Sequence, residues 1–171
     1  HVVVVKPALE ENQALTDMTI AEIADQRGED PLDTFLDLSV AEGLKTWFAR
    51  NQQNNDDEAM ATILNNENTL IGLSDSGAHV VREGGYGYGV HFLSHWVRDK
   101  RIMSVEEGVR RLTAVPADVF GIPGRGRLTP GSQADIIVLD YDNLGLDPSE
   151  EAYDLPGEAM RLKQVAHGIP Y

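Results

Sequence analysis

An α/β fold built on a parallel sheet is the class this sequence predicts, on three observations. Short apolar runs, Val2 to Val5, Leu44 to Ala49 and Thr69 to Ser74, alternate with segments of helical periodicity. The helical segments carry their own start and stop residues. The run at Thr69 holds no charge until Asp75, the form of a strand buried on both faces. Strand and helix in alternation is the pattern of right-handed βαβ units.

The elements follow in order. Val2 to Val5 is a buried strand and Lys6 to Asp17 a polar connection. Thr19 and Glu22 have capping-box spacing, so a helix runs from there to Arg27 and stops at Gly28. Asp30 and Pro31 supply an N-cap and a proline at the first position of the next helix, with Leu32, Phe35, Leu36 and Val40 as its apolar face until Gly43. After the Leu44 to Ala49 strand, the polar loop Asn51 to Asp57 caps a short helix lined by Ala59, Met60, Ile63 and Leu64. The strand at Thr69 comes next. Val80 to Gly89, with four glycines and two tyrosines, is a mobile loop.

His91 to Lys100 returns to helical spacing. Ser104 and Glu107 form a second capping box, with Val105, Val109 and Leu112 inward. Pro116 opens a short helix closed at Gly121. Beyond it the character changes: Pro123, Gly124, Gly126, Pro130 and Gly131 punctuate short pieces, and Ala134 to Tyr141 is a strand. Thr129 to Ser132 places proline and glycine where a type II turn needs them. A boundary near residue 122 separates 1–121 from 122–171.

Composition narrows the function. The 171 residues suffice for one domain with a small appendage and a real core. A formal charge of −14, from 28 acidic and 14 basic side chains, argues against nucleic acid and anionic membrane as partners. Seven of those carboxylates fall between Asp140 and Glu158 with no Lys or Arg among them; without calcium-loop spacing this is a solvated surface segment. No cysteine is present, which excludes disulfides and thiolate metal sites. No signal peptide or membrane-length apolar run is evident, so a cytoplasmic location is expected. The strand-like opening without an initiator methionine suggests a piece of something larger.

Asp75 is the first candidate for chemistry, because a carboxylate at the carboxyl end of a buried strand is placed for general acid/base work. The competing role, an N-cap for the following turn, is equally common. His79, in the same loop, is positioned to hold a substrate carbonyl or orient Asp75. His91 and His95 have the i, i+4 spacing of a metal-binding pair, but no glutamate stands between them as in H-E-x-x-H. Phe92 and Trp96 beside them favour a helix face partly packed in the core. The glycine run Gly84 to Gly89 lacks the phosphate-loop patterns and is expected as a lid. Arg125 and Arg127 are expected as surface charge. Ser74 and Ser76 do not sit in G-x-S-x-G.

Five stretches carry a resemblance: Gly72 to Val80 (GLSDSGAHV), Phe92 to Asp99 (FLSHWVRD), Ser104 to Thr113 (SVEEGVRRLT), Pro116 to Gly121 (PADVFG) and Gly126 to Asp140 (GRLTPGSQADIIVLD). Together they resemble the amidohydrolase superfamily, and within it the N-acyl-D-amino-acid deacylases. The resemblance implies a metal-dependent (β/α)8 barrel with a β-sandwich built from both chain ends, of which this chain would hold the last β/α units (1–121) and part of the sandwich and tail (122–171). It implies zinc-dependent hydrolysis of an amide, with an N-acyl-D-amino acid as the small-molecule substrate. Asp75 is implied as the catalytic acid/base and a metal ligand, and Ser76, Gly77 and His79 as its substrate-side neighbours. A whole barrel takes ~250 residues. The chain also lacks the H-x-H pair and the cysteine of such metal centres. The main zinc ligands are therefore expected outside this chain, together with the last sandwich strand after Ile169, and the isolated chain is expected to be inactive. Self-association, or docking on the remainder of the barrel, follows from exposed strand edges. The alternatives are a non-catalytic assembly module and a cyclic amidase of the dihydropyrimidinase type, although Ser76 stands where the latter tends to carry histidine.

Overall fold

A computed structural model of the chain describes residues 2–50, 55–72, 74, 81 and 85–170. They group into two compact units, His1–Asp57 and Glu58–Tyr171.

The first unit contains β1 (Val2–Lys6), α1 (Ile20–Arg27), α2 (Pro31–Ala41) and β2 (Trp47–Arg50), with a 3₁₀ turn at Glu10–Leu15. Local chemistry sets the helix ends as expected. The Thr19 hydroxyl accepts from the Glu22 backbone N–H while the Glu22 carboxylate accepts from that of Thr19, and Gly28 closes α1 at φ 68°. The Asp30 carboxylate caps α2 by accepting from the N–H groups of Leu32 and Asp33.

The pairing of β1 with β2 is antiparallel, with Val3 opposite Ala49 and Val4 opposite Phe48, which corrects the parallel expectation. One helix between two strands turns the chain back once and leaves the strands parallel. Two packed helices, α1 and α2, turn it back twice and deliver the second strand in the opposite sense. Only Val4 of the valine run is fully buried, and Val5 is 45% exposed, so β1 alternates rather than being covered on both faces.

Val4 packs with Ile20, Ile23 and Leu38 into the core of this unit, flanked by Phe35 against Phe48 at 4.8 Å between ring centroids. The predicted apolar face of α2 is corrected too. Leu32, Leu36 and Val40 are exposed, and the helix instead buries Thr34, Leu38 and Ser39. Thr34 can be inside because its hydroxyl donates to Glu29, and Ser39 because its hydroxyl donates to the carbonyl of Phe35.

Glu42 follows α2 and is 3% exposed. Its carboxylate accepts from the N–H groups of Ala8 (2.7 Å) and Leu9 (3.3 Å), from Asn12 Nδ2 (2.9 Å) and from the Thr46 hydroxyl. Burial pushes its pKa up, but these donors outweigh it and hold the carboxyl down to about 2.

The second unit holds α3 (Asp57–Asn65), α4 (Tyr88–His91) running on into a π-helical stretch (Phe92–Asp99), α5 (Val105–Leu112) and α6 (Ala114–Val119). Two small antiparallel sheets follow, β3 (Gly145–Leu146) with β6 (Ala166–His167) and β4 (Glu150–Leu155) with β5 (Ala159–Lys163). Phe92, Leu93, Val97 and Leu144 form the core, with Leu64, Ile71, Trp96, Leu112 and Leu139 packed against it.

Residues 69–72 and Ser74 form no strand, against expectation, and neither does 134–139, where Ile136 and Ile137 are 60% and 68% exposed. A strand is a ladder of backbone hydrogen bonds to a neighbouring strand, and among the described residues neither 69–72 nor 134–139 pairs in one of the sheets. On α5 the Ser104 hydroxyl accepts from the Glu107 N–H as predicted, but the Glu107 carboxylate turns to Arg110 and Arg111. Arg110 and then Arg111 hold that carboxyl down to about 2, below the ordinary glutamate range. Val109 faces outward at 37% exposure, and Gly108 and Arg111 take the buried positions. The type II turn forms, with the Ser132 N–H donating to the Thr129 carbonyl at 3.0 Å and Gly131 at φ 89°. The acidic segment lies on the surface, where Asp154 pairs with Arg161 and Glu150 with Lys163.

Glu42 gives the first unit a pH dependence. Its folded pKa lies below the ordinary value of 4.5, so its contribution to stability is complete above pH 4.5 and is lost as the pH falls from there towards 2. Urea midpoints of the wild type should drop across that window, and Glu42→Gln should lack that part of the drop. Glu42→Ala, which strips two backbone N–H groups of their acceptor, should cost about 3 kcal/mol at pH 7 by urea denaturation. In the second unit, a Cβ at Gly108 would stand 2.8 Å from Val97 Cγ2 and 3.2 Å from Leu93 Cδ2. Gly108→Ala should therefore destabilise by about 1–3 kcal/mol in thermal denaturation, despite the better helix propensity of alanine.

Candidate functional site

The approach to Asp75 is built from α3 and a tight turn. The Thr69 hydroxyl donates to the carbonyls of Ile63 (2.7 Å) and Asn66 (2.8 Å), and the Asn66 side-chain oxygen accepts from the Asn68 N–H. These bonds close the carboxyl end of α3 and start the Thr69 segment in a fixed place.

Arg111 then fastens the turn to α5. Its side chain is 6% exposed, and its guanidinium donates to the carbonyls of Asn66 (2.7 Å) and Asn65 (2.8 Å) and to the Glu107 carboxylate (3.1 Å). Carbonyls at the end of a helix have no partner within it, and a cation there meets both the missing hydrogen bonds and the negative end of the helix dipole. Sequence reasoning did not find this residue: an arginine in a run of helix-forming residues gives no local sign that it will be buried.

Asp75, Ser76, Gly77 and His79 lie outside the described residues, as do Val80 and 82–84 of the expected loop. The described part of that loop is ordered: Gly85–Gly87 makes a 3₁₀ turn, and Tyr88 begins α4.

His91 and His95 are brought together by α4 and its π-helical continuation. Their rings stack with centroids 4.9 Å apart and planes 11° from parallel, and His95 meets Trp96 edge-on at 5.1 Å. A face partly packed in the core was expected, and that is what forms, with Phe92 buried and Trp96 packed against the core. Phe92, Leu93, Ser94 and Val97 face inward, His91 is exposed and His95 half-buried. Desolvation, and then the charge of His95, push the pKa of His91 down.

Arg98 stands on the same helix. Its guanidinium donates to the carbonyls of Leu144 (2.6 Å), Tyr141 (3.1 Å) and Asp142 (3.2 Å), and to the Asp99 carboxylate (2.8 Å). It ties the helix to the segment that leads into β3. Arg125 pairs with Asp135, and Arg127 makes a two-pronged pair with Asp118, so both are surface ion pairs as expected.

A cavity of about 700 Å³ opens between α5 and residues 126–139, walled by Leu93, Leu112, Ile136, Leu139, Leu144 and Ile169. Its lining is mostly apolar, with Glu106, Arg110, Arg127 and Asp135 as the charged residues among the described ones.

The residues were tested against the zinc centre that the resemblance implies. A catalytic zinc takes three protein ligands. Among the described residues no group of three or more His, Asp or Glu side chains stands ready to hold a metal, and the sequence has no cysteine. The described residues do not by themselves make a catalytic zinc site.

Comparison with known proteins supplies the family. Residues 3–167 match the sequence profile of the Amidohydrolase family. An uncharacterized protein of Mycobacterium tuberculosis is 34% identical over 151 residues, covering 83% of this chain and 24% of that protein. N-acyl-D-glutamate deacylase of Alcaligenes xylosoxydans xylosoxydans is 30% identical over 130 residues, 74% of this chain and 25% of the enzyme. Among solved structures, N-acyl-D-glutamate deacylase from Bordetella bronchiseptica superposes with a TM-score of 0.51 at 26% identity, covering 83% of this chain and 28% of that one. That crystal contains zinc and a phosphonate inhibitor that mimics the tetrahedral intermediate of the reaction. The chain thus spans about a quarter of the length of the curated relatives it matches. With the profile running over nearly its whole length, the chain belongs to the amidohydrolase family.

Proposed function

We propose that this chain is the catalytic-aspartate portion of an amide hydrolase whose substrate is an N-acyl-D-amino acid. The observation that carries the reading is its 30% identity with an N-acyl-D-glutamate deacylase over three quarters of its length. Residues 1–121 would belong to the barrel of such an enzyme and 122–171 to its β-sandwich and tail.

Asp75 is the proton carrier in this reading and a ligand at the metal centre, and Ser76, Gly77 and His79 stand on the substrate side. A carboxylate in this role takes a proton from the attacking water and returns it to the leaving amine nitrogen, which leaves as a neutral amine rather than as an amide anion. The turn held by Arg111 fixes where that segment starts. Zinc, which in such enzymes polarises the carbonyl and lowers the pKa of water, would take its main ligands from polypeptide beyond these 171 residues. The chain alone would then be inactive.

A second reading, that the chain acts as an assembly module, is favoured by one feature. Leu32, Leu36, Val40 and Leu44 leave an apolar face exposed, Leu44 at 78%. Covering such a face is the ordinary drive for association.

In the longer enzyme, Asp75→Asn should lower kcat on N-acyl-D-glutamate by about 10²- to 10⁴-fold, read by release of the free amino acid. The L-enantiomer should be a poor substrate. The 171-residue chain, purified alone, should show neither stoichiometric zinc by metal analysis nor turnover; finding both would defeat the proposal.

A further inference from the structure

We propose that His91 and His95 form a second metal site, a two-histidine chelate on an exposed helix face that takes a late first-row divalent ion such as Cu²⁺, Ni²⁺ or Zn²⁺. This proposal does not depend on the reading of the catalytic function.

The geometry is the first support. Two imidazoles one turn apart present nitrogens on the same side of the helix, and here the rings are 4.9 Å apart and nearly parallel. An ion shared by two imidazoles sits ~2.0–2.1 Å from each nitrogen, so the nitrogens must lie within roughly 4 Å of each other. The torsion that swings a histidine ring is broad and soft, and small rotations tilt the stacked rings into that arrangement.

Accessibility is the second support. The apolar residues of this helix, Phe92, Leu93 and Val97, are buried and hold its opposite face in the core, while His91 is exposed. The anchor is fixed, His91 is reached from solvent, and His95 is half-buried beside it. The backbone is π-helical from Phe92 to Asp99, a rare form found disproportionately at functional sites.

The ligand set decides the ion. Two neutral imidazoles with water completing the shell suit Cu²⁺, Ni²⁺ and Zn²⁺ and are a poor match for Mg²⁺ or Ca²⁺, which want oxygen. Asp99 continues the same stripe, but its carboxylate is engaged by Arg98, so the site is a pair rather than a triad. His167 stands 3.4 Å from Asp147 in a different part of the unit and is not a member.

The test is a calorimetric titration of Cu²⁺ and of Ni²⁺ alone into the untagged chain, with Mg²⁺ as the oxygen-seeking control. One Cu²⁺ per chain should bind, more tightly than Ni²⁺, and Mg²⁺ should not compete. His91→Ala and His95→Ala should each weaken Cu²⁺ by at least the ~10-fold lost when a mere outer-sphere partner of a ligand is removed. The double variant Asp75→Asn with His79→Ala should bind as the wild type does, which separates this site from the proposed catalytic loop. Electron paramagnetic resonance should show two nitrogen donors on Cu²⁺ in the wild type and one in His91→Ala. That signal does not depend on how either variant affects stability, and circular dichroism checks that His91→Ala is folded. Failure to bind, or binding that survives both single histidine variants, would overturn the proposal.

Discussion

A buried guanidinium, that of Arg111, fastens the end of α3 to α5. Arg111 reaches from α5 to the last carbonyls of α3, and these two helices bracket the segment that carries Asp75 in sequence. The arrangement works because each partner meets a need of the other. The helix end offers carbonyls with no partner inside the helix, and the guanidinium would be costly inside the protein without them. Glu107 adds a carboxylate to the same group, and with it a charge balance that the carbonyls cannot supply.

The same solution appears twice more. Arg98 gathers three carbonyls of the segment from Tyr141 to Leu144, and Glu42, with the opposite charge, gathers two N–H groups and two side-chain donors in the first unit. In each case one long charged side chain takes the place of a strand or helix neighbour and satisfies irregular backbone from a distance. A chain with small two-stranded sheets has much such backbone, so its order rests on these fastenings as well as on its two apolar cores.

The family resemblance and the exposed apolar surfaces fit one picture. The chain covers about a quarter of its curated relatives, and the α2 positions that patterning marked as an apolar face, Leu32, Leu36 and Val40, are exposed here. Their periodicity was legible; what they pack against was not, because an amphipathic pattern names a face and not its partner. For the candidate site, Asp75 and its neighbours stood out in the sequence, as did the His91 and His95 spacing. The sequence reading placed that pair on a face partly packed in the core, and the helix does bury Phe92, Leu93, Ser94 and Val97 with Trp96 packed beside them, leaving His91 exposed and His95 half-buried.

What the sequence by itself determined was local and familial. The Thr19 capping box, the Asp30 cap, the Gly28 stop and the Thr129 to Ser132 turn each depend on groups within a few residues of one another, so composition and spacing suffice to place them. The five motif stretches likewise identified the family. Tertiary structure decided the antiparallel sense of β1 and β2, the burial of Glu42 and Arg111, and which side of α2 and of the histidine helix meets solvent. These depend on partners tens of residues away, as from Asn12 to Glu42, from Val2 to Arg50 and from Asn65 to Arg111. Such partners leave no local trace in the chain.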